Sequence, residues 1–501
     1  MSQRLARLLV FIANAAVLML EILAGRMLAP VVGVTLQTFT GIVGVVLAGI
    51  AIGAWAGGRL ADGHEPRTLL PIAFATGGAL AIGSVPVVRV LGSSGLGGGT
   101  GAIVLLATLA FFLPSAVLSA IPPMVVTGQL GRARDATTRC HTTRAGTGTL
   151  VGGMSAAGTS GSLCGVFLTG FVLIGRVPTT PIVIGIGATL VVVGATLHLT
   201  TPTGRGDQVV AASVLAVVLS SLALASTGPC DEETTYFCAQ VIDDPARPAG
   251  RLLVLDDQRH SYVDLDDPLH LEFSYAQIVG DLIDVIAPPT QPLRVVHIGG
   301  GGFTLARYLR ATRPGSHNDV YELDPGLVGL AERELGLELG DDIVVHTGDA
   351  RVQIREHPRA DAELVIGDAF GGESVPWHLT TREFASAVQA VMRPGAIYAL
   401  NLIDRPPLDF VRAEVATLRS TFTYVAIVAP ADRIAGDDGG NFVVLASDAA
   451  LPIAELLAAN AARGDNDVAA TGGAALDAFA ADAAVLTDEF APVDQLITGG
   501  S

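Results

Sequence analysis

The stretch LRVVHIGGGGFTLARYLRATRP, residues 293–314, decides the fold of half the chain. Residues 293–298 are an apolar, β-branched run of strand length, and residues 299–302 are four glycines that make a turn without side chains. The segment after them has helical spacing and is stopped by Pro314. Strand, glycine turn and helix in that order open a βαβ unit. NDVYELDPGLVGLAERELG (318–336) adds a second strand ending at Glu322 and a second helix, and further strands are predicted in DIVVHTGDA (342–350), AELVIGDAF (362–370), GAIYALNLI (395–403) and TYVAIVAP (423–430). This alternation predicts a mostly parallel, doubly wound sheet, a Rossmann-like α/β domain over 291–450, with NFVVLAS (441–447) antiparallel beside it.

Outward from that core, RLLVLDDQRHSYVDL (251–265) alternates about a polar turn as a β-hairpin does, and Phe273, Ile278, Leu282 and Ile286 mark a helix that ends at Pro288 and Pro289. Residues 229–290 therefore read as a linker with a Cys pair, a hairpin and a helix, and 451–501 as a C-terminal helix and a tail loosely ordered from Ala469 to LTDEFAPVDQLI (486–497).

The first half is a different material. Apolar runs long enough to cross a bilayer, about 20 residues each, lie at 5–28, 38–56, 69–91, 102–126, 150–174, 181–199 and 209–226. They predict a multi-pass transmembrane domain over 1–228, with the lipid bilayer as its partner and the cell membrane as its place. The first run carries Glu21 and Arg26 and is followed at once by another span, so it reads as a retained helix. Arginines cluster at alternate ends, at Arg4 and Arg7, Arg59 and Arg67, Arg132, Arg134, Arg139 and Arg144, and Arg205. Those ends are cytoplasmic by the positive-inside rule, and seven crossings then place the second half outside the cytoplasm. Gly49, Gly53 and Gly57, and Gly161 with Gly165, have the spacing of close helix packing. Glu21 reads either as the partner of Arg26 or a neighbouring helix, or as part of a polar pathway.

Charge divides the chain at the same place, since residues 1–228 hold 12 Arg against 5 acidic residues and 229–501 hold 18 Arg against 43. A soluble half this acidic repels phosphate backbones, so no nucleic acid is expected, while a cationic small molecule is compatible with it. Of four cysteines, Cys230 and Cys238 bracket DEETTYF just past the last span. They read as a disulfide, which would mean an oxidising compartment, as free thiols, or least well as half of a metal site without further ligands. No metal is predicted.

In doubly wound sheets ligands sit beyond the carboxyl ends of the strands. Gly299, Gly300 and Gly301 let a flat ligand approach the backbone. Glu322 ends the second strand about 20 residues on, where a carboxylate meets a ribose diol; Asp349 follows the third strand and Asp368 the fourth. Together they point to an adenosine-containing ligand.

LVLDD (253–257), LEFSYAQ (271–277), VVHIGGGG (295–302), VYELDP (320–325), HTGDA (346–350) and VIGDAF (365–370) stand in the order found in the spermidine synthases, and the second half resembles that aminopropyltransferase family. GRMLAP (25–30) and GIAIGAWAGGRLAD (49–62) look like the subset with a multi-helix membrane domain in front. The resemblance implies decarboxylated S-adenosylmethionine as co-substrate and a small polyamine as acceptor, and it leaves a homodimer open. It implies that Glu322 holds the ribose, that Asp349 with Ala350 holds the adenine, that Tyr275 shapes the amine pocket and that Asp368 is the catalytic base. His260 stands where the family has a cofactor-facing Gln, Gly302 and Phe303 stand where its glycine turn has Asp and Gly, and Gly371 stands where a second Asp follows the base, with Glu373 the nearest carboxylate. Two other functions fit the same residues: methyl transfer from S-adenosylmethionine, and a transporter or sensor that binds a polyamine or nucleoside without turning it over.

Overall fold

The computed structural model describes residues 2–33, 36–92, 99–140, 147–200, 206–226, 228–356, 360–372, 374–464, 467–470 and 474–497, without the side chains of 133–140 and 467–470. Arg144, Arg205 and Glu373, and the side chains of Arg134, Arg139 and Cys140, lie outside the described residues. The chain forms two compact units, Met1–Cys238 and Ala239–Ser501.

Among the described residues the first unit has seven helices long and apolar enough to cross a membrane: Gln3–Val32, Leu36–Gly63, Pro66–Gly92, Thr100–Arg132, Thr147–Leu173, Thr179–Thr200 and Gly206–Ala225. Leu20, Leu23, Phe74 and Phe111 are buried in its core. The spaced glycines lie where helix backbones touch. A Cβ at Gly53 would stand 2.0 Å from the Ala116 carbonyl oxygen, and one at Gly57 2.4 Å from that of Ala120. On the fifth helix a Cβ at Gly161 would stand 2.2 Å from the Phe11 oxygen and one at Gly165 2.6 Å from that of Ala15. Without hydrophobic drive inside lipid, such close packing is what holds helices together.

Cys230 and Cys238 form a disulfide that closes the loop after the last span. Inside this loop Glu233 accepts from the Thr179 backbone N–H at 2.9 Å and pairs with Arg26 at 3.4 Å. Arg26 also donates to the carbonyls of Thr234 and Thr235, both at 2.6 Å. Arg26 is therefore not the partner of Glu21, which corrects one reading of the sequence. Residues five apart point about 140° away from each other on a helix, and Arg26 turns instead to the loop.

The second unit opens with β1 (Cys238–Asp244), β2 (Arg247–Leu255) and β3 (Gln258–Asp264), paired antiparallel in succession. The predicted hairpin is β2–β3; β1 extends it. Helix α1 (Ser274–Val285) follows and buries Tyr275, Ile278, Leu282 and Ile283. Next come β4 (Arg294–Ile298), α2 (Thr304–Thr312), β5 (His317–Glu322), α3 (Pro325–Glu334), β6 (Ile343–Thr347), α4 (Ala350–Glu356) and β7 (Ala362–Gly367). Then follow α5 (Arg382–Val391), β8 (Met392–Asp404), α6 (Asp409–Arg419), β9 (Tyr424–Pro430), β10 (Gly440–Ser447) and β11 (Asp467–Ala470).

The strand order is β11-β9-β10-β8-β7-β4-β5-β6. Strands β4 to β8 pair in parallel, and β10 is antiparallel to both β8 and β9. The chain winds outward from β4 through β5 to β6, then returns to the other side of β4 with β7. This reversal leaves a crevice at the carboxyl ends of β4 and β7, the ends that carry the glycine turn and Asp368.

Candidate active site

The glycine turn follows β4 and is pressed against the loop after β7. Gly299 has φ +96°, and a Cβ there would stand 2.3 Å from the Asp368 carbonyl oxygen. Gly301, with φ +52°, faces the tip of β3: its Cβ would lie 2.7 Å from Ser261 Oγ and 3.1 Å from His260 Nδ1. Ser261 Oγ accepts from the Gly302 N–H at 3.0 Å. The hairpin is thus laid over the turn, which puts His260 at the crevice.

Asp368 is held from two sides. Tyr275 Oη, from α1, donates to Oδ2 at 2.9 Å, and Asn401 Nδ2, from β8, donates to Oδ1 at 2.8 Å. Asn441 of β10 donates in turn to Asn401 Oδ1 at 3.0 Å, which fixes the amide. Burial first, then the Asp368 carboxylate, push the Tyr275 hydroxyl well above its ordinary range, so it stays a proton donor. Burial holds the His260 imidazole below its usual range, and Asp368 pulls it partly back.

Glu322, at the end of β5, is buried. Its Oε2 accepts from the amides of Gly300 at 2.8 Å and Gly301 at 3.3 Å, and its Oε1 accepts from the Asp324 N–H at 2.9 Å. Burial raises its pKa and these amides oppose the shift. Its backbone carbonyl receives the Gly348 N–H at 2.9 Å, so the end of β6 sits directly beside it. There Asp349 Oδ1 accepts from the Arg351 N–H at 2.8 Å and Oδ2 lies 3.3 Å from His378 Nε2, while Ala350 begins α4 and is buried.

The residues singled out from sequence therefore form a row across four neighbouring strand ends: Asp368, the glycine turn, Glu322, then Asp349 with Ala350. Strands are about 4.8 Å apart, so the row spans on the order of 14 Å, the reach of a nucleoside with a 5′ substituent. A narrow, half-open hollow at its first end is lined by Ser261, Tyr275, His297, Gly300, Phe303 and Asp368, among others. Asp349 and Glu322 do not line it. Ser261, Asn401, Asn441 and His378 were not found by sequence reasoning, although a lone Asn within the apolar run of β8 is the kind of signal that marks such a group. Among the described residues no group of three or more His, Cys, Asp or Glu could hold a metal ion.

His297 lies under this site on β4. Its Nε2 is 2.8 Å from Asn318 Oδ1, and Asn318 Nδ2 donates to the Asp342 carbonyl at 3.0 Å. The second bond orients the amide, so Nε2 carries the proton in the neutral ring. Burial pushes His297 down to about 4, against about 6.5 in an unfolded chain. The unfolded state then binds the extra proton more tightly. Stability of this unit is expected to be complete above about pH 6.5 and to fall towards pH 4, by about 3 kcal/mol from this residue. Asp404 works in the opposite direction, its carboxyl raised by burial to about 6, so that its ionisation costs stability as pH rises from about 4 to 6. Denaturant unfolding of wild type and His297→Gln across pH 4–8 measures the difference, and parallel profiles would refute the assignment.

The winding of the sheet puts this acidic row where doubly wound folds bind their ligands. A curated polyamine aminopropyltransferase of Vibrio vulnificus is 34% identical over 134 residues, 26% of this chain and 44% of that protein. Polyamine aminopropyltransferase 2 of Streptomyces coelicolor is 33% identical over 158 residues, 29% of this chain and 27% of that protein. By sequence the second unit resembles the spermidine synthase family of polyamine aminopropyltransferases over these stretches. The chain spans less than half the length of these two relatives. A probable spermidine synthase from Corynebacterium glutamicum aligns in structure with TM-score 0.47 and 25% identity, over 52% of this chain and 95% of that one. No family model matches the chain.

Proposed function

We propose that this is a multi-pass cell-membrane protein of the membrane-anchored subset of the family, whose second unit transfers an aminopropyl group from decarboxylated S-adenosylmethionine to a small polyamine. Residues 1–228 are then the membrane domain, 229–290 the linker and hairpin, 291–450 the transferase domain and 451–501 the C-terminal helix and tail. The observation that carries the reading is the Asp368 carboxylate, fixed by Tyr275 and Asn401 beside the glycine turn and two strands from Glu322.

In this reading Glu322 takes the ribose hydroxyls on its remaining lone pairs, and Asp349 with Ala350 takes the adenine. Gly299, Gly300 and Gly301 let the nucleoside lie on the backbone, with His260 above. The amine nitrogen attacks the carbon bonded to sulfur. The C–N bond forms as the C–S bond breaks, its electron pair neutralises the sulfonium, and 5′-methylthioadenosine leaves. The proton shed by the new ammonium goes to Asp368, whose charge also favours the cationic transition state. The test is full-length protein in detergent with decarboxylated S-adenosylmethionine and putrescine, followed by release of 5′-methylthioadenosine. Release supports the reading, and nucleoside binding without release rejects it. Methyl transfer from S-adenosylmethionine in the same assay would favour the methyltransferase alternative.

The Cys230–Cys238 disulfide favours a second reading. It argues for an oxidising compartment, and an odd number of spans from a cytoplasmic N-terminus also puts the second unit outside. Adenosylmethionine donors are made in the cytosol, so an external site would bind its nucleoside or polyamine without turnover. In intact cells an impermeant thiol reagent is expected to label Cys230 and Cys238 only after reduction. Labelling confined to lysed cells would place the unit in the cytosol.

A further inference from the structure

We infer that Asn441 is a positioning residue for the chemistry at Asp368, acting through Asn401 to keep an N–H aimed at that carboxylate. The inference rests on the reading of Asp368 as the base of aminopropyl transfer.

The register of the sheet brings the two amides together. Asn401 of β8 stands opposite Val443 of β10, and Asn441 lies two residues before Val443, so the two side chains are diagonal neighbours on one face. On that face Ile397 and Ala399 of β8 and Val443 and Leu445 of β10 belong to the apolar core that also holds Tyr275 of α1. The two asparagines interrupt it. Asn401 is 3% exposed, and a buried amide costs free energy unless it is hydrogen-bonded. Both of its ends are bonded, Nδ2 to Asp368 Oδ1 at 2.8 Å and Oδ1 to Asn441 Nδ2 at 3.0 Å.

The direction of these two bonds carries the inference. An ionised carboxylate only accepts, so Asn401 has to turn its Nδ2 towards Asp368, and its Oδ1 then requires a donor. Asn441 is that donor. Were the Asn401 amide turned round, its Oδ1 would face the carboxylate and two acceptors would meet. Asp368 could relieve that clash only by keeping a proton, and in that state it cannot take one from an amine. The bond from Asn441 opposes this reversal, since Asn401 could turn only by giving it up or by turning both amides at once.

The test separates orientation from packing with two substitutions of nearly the same size as asparagine. Asn441→Leu removes the donor and leaves Asn401 with its bond to Asp368 alone. Asn441→Asp puts an acceptor where the donor stood, so the Asn401 amide is drawn round and its Oδ1 turns to Asp368. Full-length proteins in detergent would be compared for release of 5′-methylthioadenosine from decarboxylated S-adenosylmethionine and putrescine, and by calorimetry for affinity for 5′-methylthioadenosine. The turnover number is expected to fall roughly 10- to 100-fold in Asn441→Asp and about 2- to 10-fold in Asn441→Leu, with nucleoside affinity unchanged in both. An added negative charge acting alone would lower KM for the cationic acceptor and leave turnover in place, so the split between the two parameters tells the effects apart. Equal turnover in the two variants, wild-type turnover in either, or a parallel loss of nucleoside affinity overturns the inference and leaves the reading of the site standing. Absence of turnover in the wild type overturns that reading and this inference with it. Should Asn441→Asp not fold, Asn441→Leu is set against Asn441→Gln, which keeps the donor on a half-buried side chain. Turnover should then be higher in Asn441→Gln, and equal losses would overturn the inference.

Discussion

Asp368→Asn is expected to lower the turnover number for aminopropyl transfer by about 10²–10⁴-fold, the usual worth of a positioned general base, while nucleoside affinity stays within about threefold. The substitution keeps the volume of the side chain and its place after β7. It removes the negative charge and the proton acceptor together. Asparagine has one carbonyl oxygen for two donors, so the bonds from Tyr275 and from Asn401 cannot both survive unchanged. Nothing in the row from Gly300 to Asp349 is touched, so the proposed ribose and adenine contacts would remain. A variant with normal turnover would remove Asp368 from the chemistry. A variant that lost nucleoside binding as well as turnover would show the residue to be structural.

Gly161→Leu is expected to abolish recovery of folded, monodisperse protein. The added side chain begins 2.2 Å from a backbone carbonyl oxygen of Phe11, and no rotamer relieves a clash at Cβ. The first and fifth spans would have to separate, and overpacking against main chain with loss of the contact costs on the order of 4 kcal/mol or more. Gly152 lies on the same helix with nothing within 4 Å of its Cβ position, so Gly152→Leu is the matched control. Size-exclusion profiles in detergent report the outcome. Equal behaviour of the two variants would show that close approach at Gly161 is not what holds these spans together.

Gly161 and Gly165 were legible because one turn of helix separates them, and the feature is local. Asp368, Glu322 and Asp349 were legible because each ends an apolar run and the winding of the sheet brings such ends to one edge. Asn401 and Asn441 belong to strands whose adjacency depends on β10 lying between β8 and β9; the sequence predicts an antiparallel strand from Asn441, but no local pattern encodes its place in the sheet. His378 reaches Asp349 from a segment nearly 30 residues away, and such contacts are set by loop closure. The misreading of Glu21 with Arg26 came from proximity in sequence taken without the turn of the helix.

The reversal of strand order between β4 and β7 also has a mechanical consequence. Within the sheet the outer strands β5 and β6 are joined to β8 and β10 through the two central ones. A nucleoside lying from Asp368 to Asp349 would act as a rivet across the seam, contacting segments from both wings of the sheet. At a hundredfold excess over its dissociation constant it would add about 2.7 kcal/mol of stability. Hydrogen exchange should then slow in both wings at once, on strands the ligand never touches as well as on those it does.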